Sequence, residues 1–263
     1  MSNWRYTDRN WSPIVGDHAR ALLELRNDRE FFDESVGVRQ VPKSRWAVAQ
    51  DAERHGWMDL WTWQVEDRNL EHFVMFDQYA ALRGKRFERA IELGCGPFTN
   101  LSFLPAVCEL GSCALLDPLI ESYVQHPNCA YASGSLRNKQ MPHLAPLAVT
   151  RRIAAPIEEM PTDERYDLAL MINVIEHCFD FDRMIENIGA ILSRGSVFCF
   201  HDRYLKLDQI KHNLAHVYDA GHPLQVDGTY LDAALDRLCA PVFRRLVVTF
   251  PDDIRLYFIG VRR

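Results

Sequence analysis

The run AIELGCGPFTNLSFL, residues 90–104, sets a carboxylate and two glycines where a ligand can be handled. A short apolar segment leads into Gly94 and Gly96, whose missing Cβ atoms let the backbone turn sharply and approach a ligand closely. The first N–H groups of a helix following that turn favour electron-rich ligand atoms. Glu92 lies inside the apolar segment, where a carboxylate repels a pyrophosphate but suits a cationic amino group. Asp117 closes the next apolar run, CALLD, where its carboxylate can accept hydrogen bonds from both hydroxyls of a ribose. The third glycine of a dinucleotide fingerprint is missing, with Phe98 and Thr99 in its place and Pro97 stiffening the turn, which disfavours NAD and FAD. One acid for an amine and another for a ribose fit S-adenosyl-L-methionine.

A second set of residues ends the run SVFCFHD (196–202). His201 and Asp202 stand at the carboxyl edge, where open parallel sheets bind ligands. An imidazole there titrates near neutrality and can take a proton from an alcohol, a protonated amine or a phenol, so His201 is the expected base. Asp202 is expected to orient a ring or bind substrate, although neighbours on an extended strand point to opposite faces. Tyr204, in the same HDRY run, and His222, in the loop GHPLQVDG, are expected to face the substrate, with that loop lying over the mouth. His212 and His216 share a helical face, but no third ligand completes a compact motif such as His-Glu-x-x-His, so no metal is expected. A mononuclear site built from His201, Asp202 and His222 is the metal arrangement that the sequence leaves open.

The elements that must position these residues are legible as patterns. RAIELG (89–94), CALLD (113–117), YDLALMIN (166–173) and SVFCFHD are short runs apolar on both faces, as in parallel strands covered by helices. Met184, Ile185, Ile188, Ile191 and Leu192 make one helical face, with Gly195 beyond it. FRRLVVTF (243–250) and IRLYFIGV (254–261) are too close for a crossover helix, so these last strands run antiparallel. Residues 118–154 read mostly as loop, with a strand near Ala148 to Ala154, and Pro105 must start or kink the helix after the glycines. The expected fold is α/β: a doubly wound, Rossmann-like mixed sheet with an antiparallel last strand and an N-terminal helical cap. All 6 tryptophans fall before residue 64, alongside helical patterns over 17–34 and 42–57 and a further helix over 68–82 closed by Gly84. Residues 1–66 therefore read as a Trp-rich cap or lid, and 67–263 as the ligand-binding core. Aromatic walls of this kind suit a small organic substrate in a closed pocket.

Composition narrows the function classes. The formal charge is -6 with basic residues scattered along the chain, so no nucleic-acid partner is expected. The 7 cysteines form no Cys-x-x-Cys pair, which argues for reduced thiols. No apolar run approaches the roughly 20 residues of a membrane helix, and the start lacks the basic then apolar pattern of an export signal, so a soluble, cytoplasmic protein is expected.

ELGCG (92–96), LLDP (115–118), APIEEMP (155–161), YDLALMINVIEH (166–177) and LSRGSVFCFHD (192–202) stand in the order found in class I S-adenosylmethionine-dependent methyltransferases, and residues 70–263 resemble that superfamily. The resemblance implies that the backbone from Glu92 through Cys95 to Gly96 holds the methionine part of the cofactor, and that Asp117, with Pro118 beside it, takes the ribose. It implies Ile157 packing on the adenine with Glu158 close by, Pro156 replacing an Asp that many members carry. It also places Asn173 at the mouth, with Val174 and His177 near the cofactor. The implied activity is methyl transfer to an oxygen or nitrogen of a small organic acceptor. A non-catalytic module of the same fold, or a protein or peptide methyltransferase, satisfies the same motifs.

Overall fold

The computed structural model describes residues 31–64, 67–141, 144, 147–216, 221–250 and 253–263. Trp4, Trp11 and nearly all of the helix expected over 17–34 lie outside the described residues; the end of that stretch forms a short strand instead, β1 (Phe32–Asp33). β2 (Val38–Arg39) pairs with it, and Pro42 caps α1 (Lys43–His55) in extended conformation, its fixed φ of -64° suiting a helix start. One wider π-helical turn, Gly56–Leu60, continues α1. The helix expected over 68–82 is shorter: α2 spans Asp67–Met75, and Asp77, Gln78 and Tyr79 follow with positive φ. That left-handed turn is costly for side-chain-bearing residues. It lets Phe76 and Tyr79, both fully buried, stack at 4.7 Å beneath the sheet.

β3 (Arg86–Leu93) then leads into the glycine turn. The segment after it is a 3₁₀ helix, Asn100–Ala106, rather than an α-helix, and Pro105 sits near its end. β4 (Glu109–Leu116), the short helices α3 (Ile120–Tyr123) and α4 (Leu136–Gln140), and β5 (Val149–Ile153) follow. β6 (Tyr166–Ile172), α5 (Phe181–Ile191) and β7 (Leu192–Arg203) complete the parallel part. After α6 (Leu207–His216), β8 (Gln225–Val226) joins β1 and β2 in a small sheet. α7 (Gly228–Leu238) precedes β9 (Cys239–Phe250) and β10 (Asp253–Arg262).

The main sheet has 7 strands in the order β5-β4-β3-β6-β7-β10-β9, with β10 antiparallel to both neighbours. The chain builds outward from β3 through β4 to β5, then starts again on the other side of β3 with β6. That reversal opens a crevice at the carboxyl ends of β3 and β6. Along each strand, side chains alternate between two cores. One core joins Ile91, Met171, Phe198 and Phe258 to Met184 and Ile188 of α5 and Leu231 and Leu235 of α7. The other joins Leu115, Leu170, Cys199 and Tyr257 to Phe76, Leu101 and Leu104. Among the described residues no helix is long and apolar enough to cross a membrane.

α5 illustrates how the layers hold. The Asp180 carboxylate accepts the Arg183 N–H at 3.0 Å and caps its start, while Met184, Ile188 and Ile191 are fully buried. Burying each such side chain stabilises the fold by about 1.5–3 kcal/mol. Ile188→Ala should therefore cost about 2–5 kcal/mol through lost transfer energy and a residual cavity. In urea titration this appears as a lower midpoint at unchanged slope; a shift under 1 kcal/mol would show that α5 is not packed as described.

Candidate active site

The crevice holds a cavity of about 450 Å³ whose walls come from the loops after β3, β4, β5 and β6, from the ends of β7 and β10, from the loop before β8 and from the N-terminal region. The glycine turn builds one end. Gly94 has φ +69°, and a Cβ there would lie 2.5 Å from Cγ2 of Val174, so the loops after β3 and β6 meet only because this residue has no side chain. The N–H groups of Gly94 and Cys95 donate to the Leu116 carbonyl at 2.8 and 3.1 Å, and Gly96 N–H donates to Asp117 Oδ2 at 3.0 Å. These amides organise the turn and are not free donors for a ligand.

Glu92 corrects the sequence reading. Its buried carboxylate accepts from the Thr99 hydroxyl, from Asn100 N–H at 3.0 Å, from Asn100 Nδ2 at 2.9 Å and from Leu101 N–H at 3.3 Å. It is not among the cavity-lining residues, so it fastens the start of the 3₁₀ helix and offers no oxygen to a ligand amine. Asp117 does line the cavity, with Oδ1 accepting Leu119 N–H at 2.8 Å. Burial outweighs its two backbone hydrogen bonds and raises its pKa to about 7. Cys95, Pro118, Ile157, Glu158, Asn173, Val174 and His177 all line the same cavity. Glu158 Oε1 accepts the N–H groups of Phe179 and Asp180 at 2.6 and 3.1 Å, whereas its buried Oε2 has no hydrogen-bond partner among the described residues. Burial raises the Glu158 pKa as well.

Strand register builds the other end. His201 stands opposite Ile172 of β6 and Tyr257 of β10, so its ring lies on the same face as theirs. The His201 ring sits 4.3 Å from both His72 and Tyr257, centroid to centroid, and its Nδ1 has no hydrogen-bond partner among the described residues. Burial drives the His201 pKa well below its ordinary value, with His72, Arg255 and Arg68 adding positive potential; His72 falls to about 3, mainly by burial. Both rings are therefore neutral at physiological pH, and His201 does not titrate near 6.5 as an exposed histidine would. Asn173 holds φ +61° at the mouth, donates its N–H to the His201 carbonyl at 2.8 Å, and accepts from Arg255 Nη1 at 3.3 Å.

Asp202 and Tyr204 do not reach this cavity. Asp202 points to the opposite face, where Oδ2 accepts Val174 and Ile175 N–H groups at 2.9 and 2.7 Å and Oδ1 accepts its neighbour Arg203 N–H at 2.8 Å. It is a positioning residue for the loop after β6, and the expected catalytic role is withdrawn. Tyr204 packs against Gly228 and donates to Asp232 Oδ2 at 2.8 Å, so the expected substrate contact is withdrawn too. His222 does line the cavity, 3.5 Å from Glu176 by its Nε2, with its ring 4.7 Å from that of His177. Because Asp202 faces away, a metal site from His201, Asp202 and His222 does not form.

The N-terminal region supplies a wall of Trp46, Gln50, Glu53, Trp57 and Trp61, while Trp63 is exposed. Trp46 Nε1 and Gln50 Nε2 both donate to the His177 carbonyl, at 2.8 and 3.3 Å, tying α1 to the loop after β6. Trp57 packs edge-on to Phe98 at 5.5 Å. Sequence reasoning missed His72, Glu176, Arg255 and Tyr257. Tyr257 is findable only once the register of β10 on β7 is known, and His72 carries no local signal beyond its place on an amphipathic helix.

Solved structures share this fold. The N-methyltransferase NodS from Bradyrhizobium japonicum WM9, in complex with S-adenosyl-L-homocysteine, superposes with a TM-score of 0.55 at 13% identity, covering 83% of this chain and 98% of that one. YcgJ from Bacillus subtilis superposes with a TM-score of 0.52 at 12% identity, covering 74% of this chain and 99% of that one. The chain has the class I methyltransferase fold. No protein-family profile matches its sequence, and no curated protein matches it significantly. At such identities the likeness shows the class I fold alone.

Asp202 separates a fastening role from a chemical one. Asp202→Ala leaves the N–H groups of Val174, Ile175 and Arg203 without their acceptor and should cost about 3–5 kcal/mol of stability. His201→Gln should change the unfolding midpoint little by comparison. Equal, small losses in both variants would contradict the fastening role.

Proposed function

We propose that the protein transfers a methyl group from S-adenosyl-L-methionine to an oxygen or nitrogen of a small organic acceptor. The observation that carries this reading is a single cavity with Asp117 and the glycine turn at one end and the His72, His201 and Tyr257 rings at the other. Two features support the cofactor at the donor end: the buried Asp117 carboxylate lines the cavity and would take ribose hydroxyls, and the buried Glu158 Oε2, without a hydrogen-bond partner among the described residues, suits an adenine amino group. Glu92 does not contribute to an amine and the amides of the glycine turn are engaged, so the methionine end rests on the carbonyl oxygens of that turn and on Asn173.

When bound, S-adenosylmethionine supplies an electrophilic methyl group on a sulfonium. The chain's own residues then position and dehydrate the acceptor. The tryptophan wall and the loop carrying His222 exclude water, and His201 stays neutral with a lone pair able to accept a proton from the acceptor. A concave site of about 450 Å³ supports a small molecule over a macromolecule.

Calorimetry with S-adenosylmethionine and S-adenosylhomocysteine tests the reading, which fails if neither binds below the millimolar range. Asp117→Ala should weaken binding at least tenfold. Ribose hydroxyls favour ionised Asp117, whose pKa of about 7 means that the free protein is increasingly protonated below neutrality. Affinity should therefore fall between pH 8 and pH 6, with a proton released on binding at pH 6; a constant affinity contradicts this role. At saturating cofactor, turnover should show no inflection near pH 6.5, because burial keeps His201 neutral there. His201→Gln should lower turnover by about 10²–10⁴ with cofactor affinity unchanged, and near-native turnover would remove the base role.

A further inference from the structure

Two loops far apart in sequence place Glu176, His177 and His222 together on the cavity wall, with one potential donor atom from each within 4.8 Å of the others. Glu176 and His177 lie in the 3₁₀ turn after β6. His222 is brought over them by the loop before β8, where Leu224 N–H donates to the Glu176 carbonyl at 3.4 Å and Arg39 Nη2 donates to the His222 carbonyl at 2.5 Å.

The second polar atoms of Glu176 and His177 are already held. Glu176 Oε2 pairs with Arg203 Nη1 at 3.1 Å, which directs Oε1 toward His222 Nε2, 3.5 Å away. His177 Nδ1 donates to the Gly221 carbonyl at 3.2 Å and lies 3.9 Å from the Glu53 carboxylate, so its Nε2 carries the lone pair. Second partners of this kind fix the tautomer and rotamer of metal-binding histidines and carboxylates. Donors around a tetrahedral ion at about 2.0–2.1 Å stand roughly 3.4 Å apart, close to the Glu176–His222 separation. Two imidazoles and one carboxylate suit a divalent transition metal, and three protein ligands leave a coordination position for an oxygen.

We propose that Glu176, His177 and His222 form a binding site for a divalent transition-metal cation, whose open position faces the cavity and takes an oxygen of the methyl acceptor. Acceptors bearing a hydroxyl or carboxylate are then preferred over simple amines. The choice of acceptor rests on the methyltransferase reading; the ion site does not. It replaces the expectation of no metal with ligands that the sequence reading did not group.

The test uses the full chain, stripped with chelator and dialysed, titrated with Zn²⁺ and with Mn²⁺ by calorimetry and by Mn²⁺ electron paramagnetic resonance. We expect one ion per chain with micromolar or tighter affinity for Zn²⁺. Glu176→Gln and His222→Ala should each weaken it at least 100-fold, while His212→Ala, an exposed histidine, should leave it unchanged. The circular dichroism spectrum and thermal midpoint of each variant report whether it is folded, and the conservative Glu176→Gln carries the test if His222→Ala is not. Absence of stoichiometric binding to the native chain, or binding undiminished in Glu176→Gln, overturns the proposal. S-adenosylhomocysteine binding without metal binding sinks the ion site alone; metal binding without cofactor affinity sinks the methyltransferase reading and leaves the ion site standing.

Discussion

The loops at the carboxyl edge of the sheet are fastened by buried carboxylates accepting backbone N–H groups. Glu92 holds Asn100 and Leu101, Asp117 holds Gly96 and Leu119, Glu158 holds Phe179 and Asp180, and Asp202 holds Val174 and Ile175. A buried carboxylate without partners is strongly disfavoured, and an orphaned buried amide costs about 1–3 kcal/mol. Each need answers the other. The loop walls of the cavity are thereby held in place, which leaves irregular backbone free to shape a site.

The same burial governs the chemistry. Carboxyl pKa values rise at Asp117, Glu158 and Asp202, and the His72 and His201 rings are held neutral. A dry, preorganised site strengthens electrostatic contacts with a bound ligand and spares reorganisation at the moment of reaction. It also turns an expectation around, since a histidine chosen for a near-neutral pKa is found where burial depresses it.

The parallel strands were legible because both of their faces are apolar, and Asp117 because it ends one of them; the reversed strand pair followed from a connection too short for a crossover. Asp202 misled because it adjoins His201 in sequence, whereas the pleat sends neighbours to opposite faces. Glu92 misled in a different way: a carboxylate in an apolar strand signals a partner, but the sequence does not say whether that partner is a ligand or the following turn. His72, Arg255 and Tyr257 reach the cavity through tertiary register alone. The left-handed turn at Asp77–Tyr79 had no glycine to announce it. Glu176, His177 and His222 have no compact spacing, since folding joins two separate loops.

In the proposed function, one cavity seats the cofactor at Asp117 and the acceptor at His201. A crystal structure with S-adenosylhomocysteine measures this most directly. Ribose hydroxyls on the Asp117 carboxylate, adenine between Ile157 and Glu158, and the sulfur turned toward Asn173 and His201 are the expected result. A ligand bound with its ribose away from Asp117, or with its sulfur facing away from His201, would contradict it.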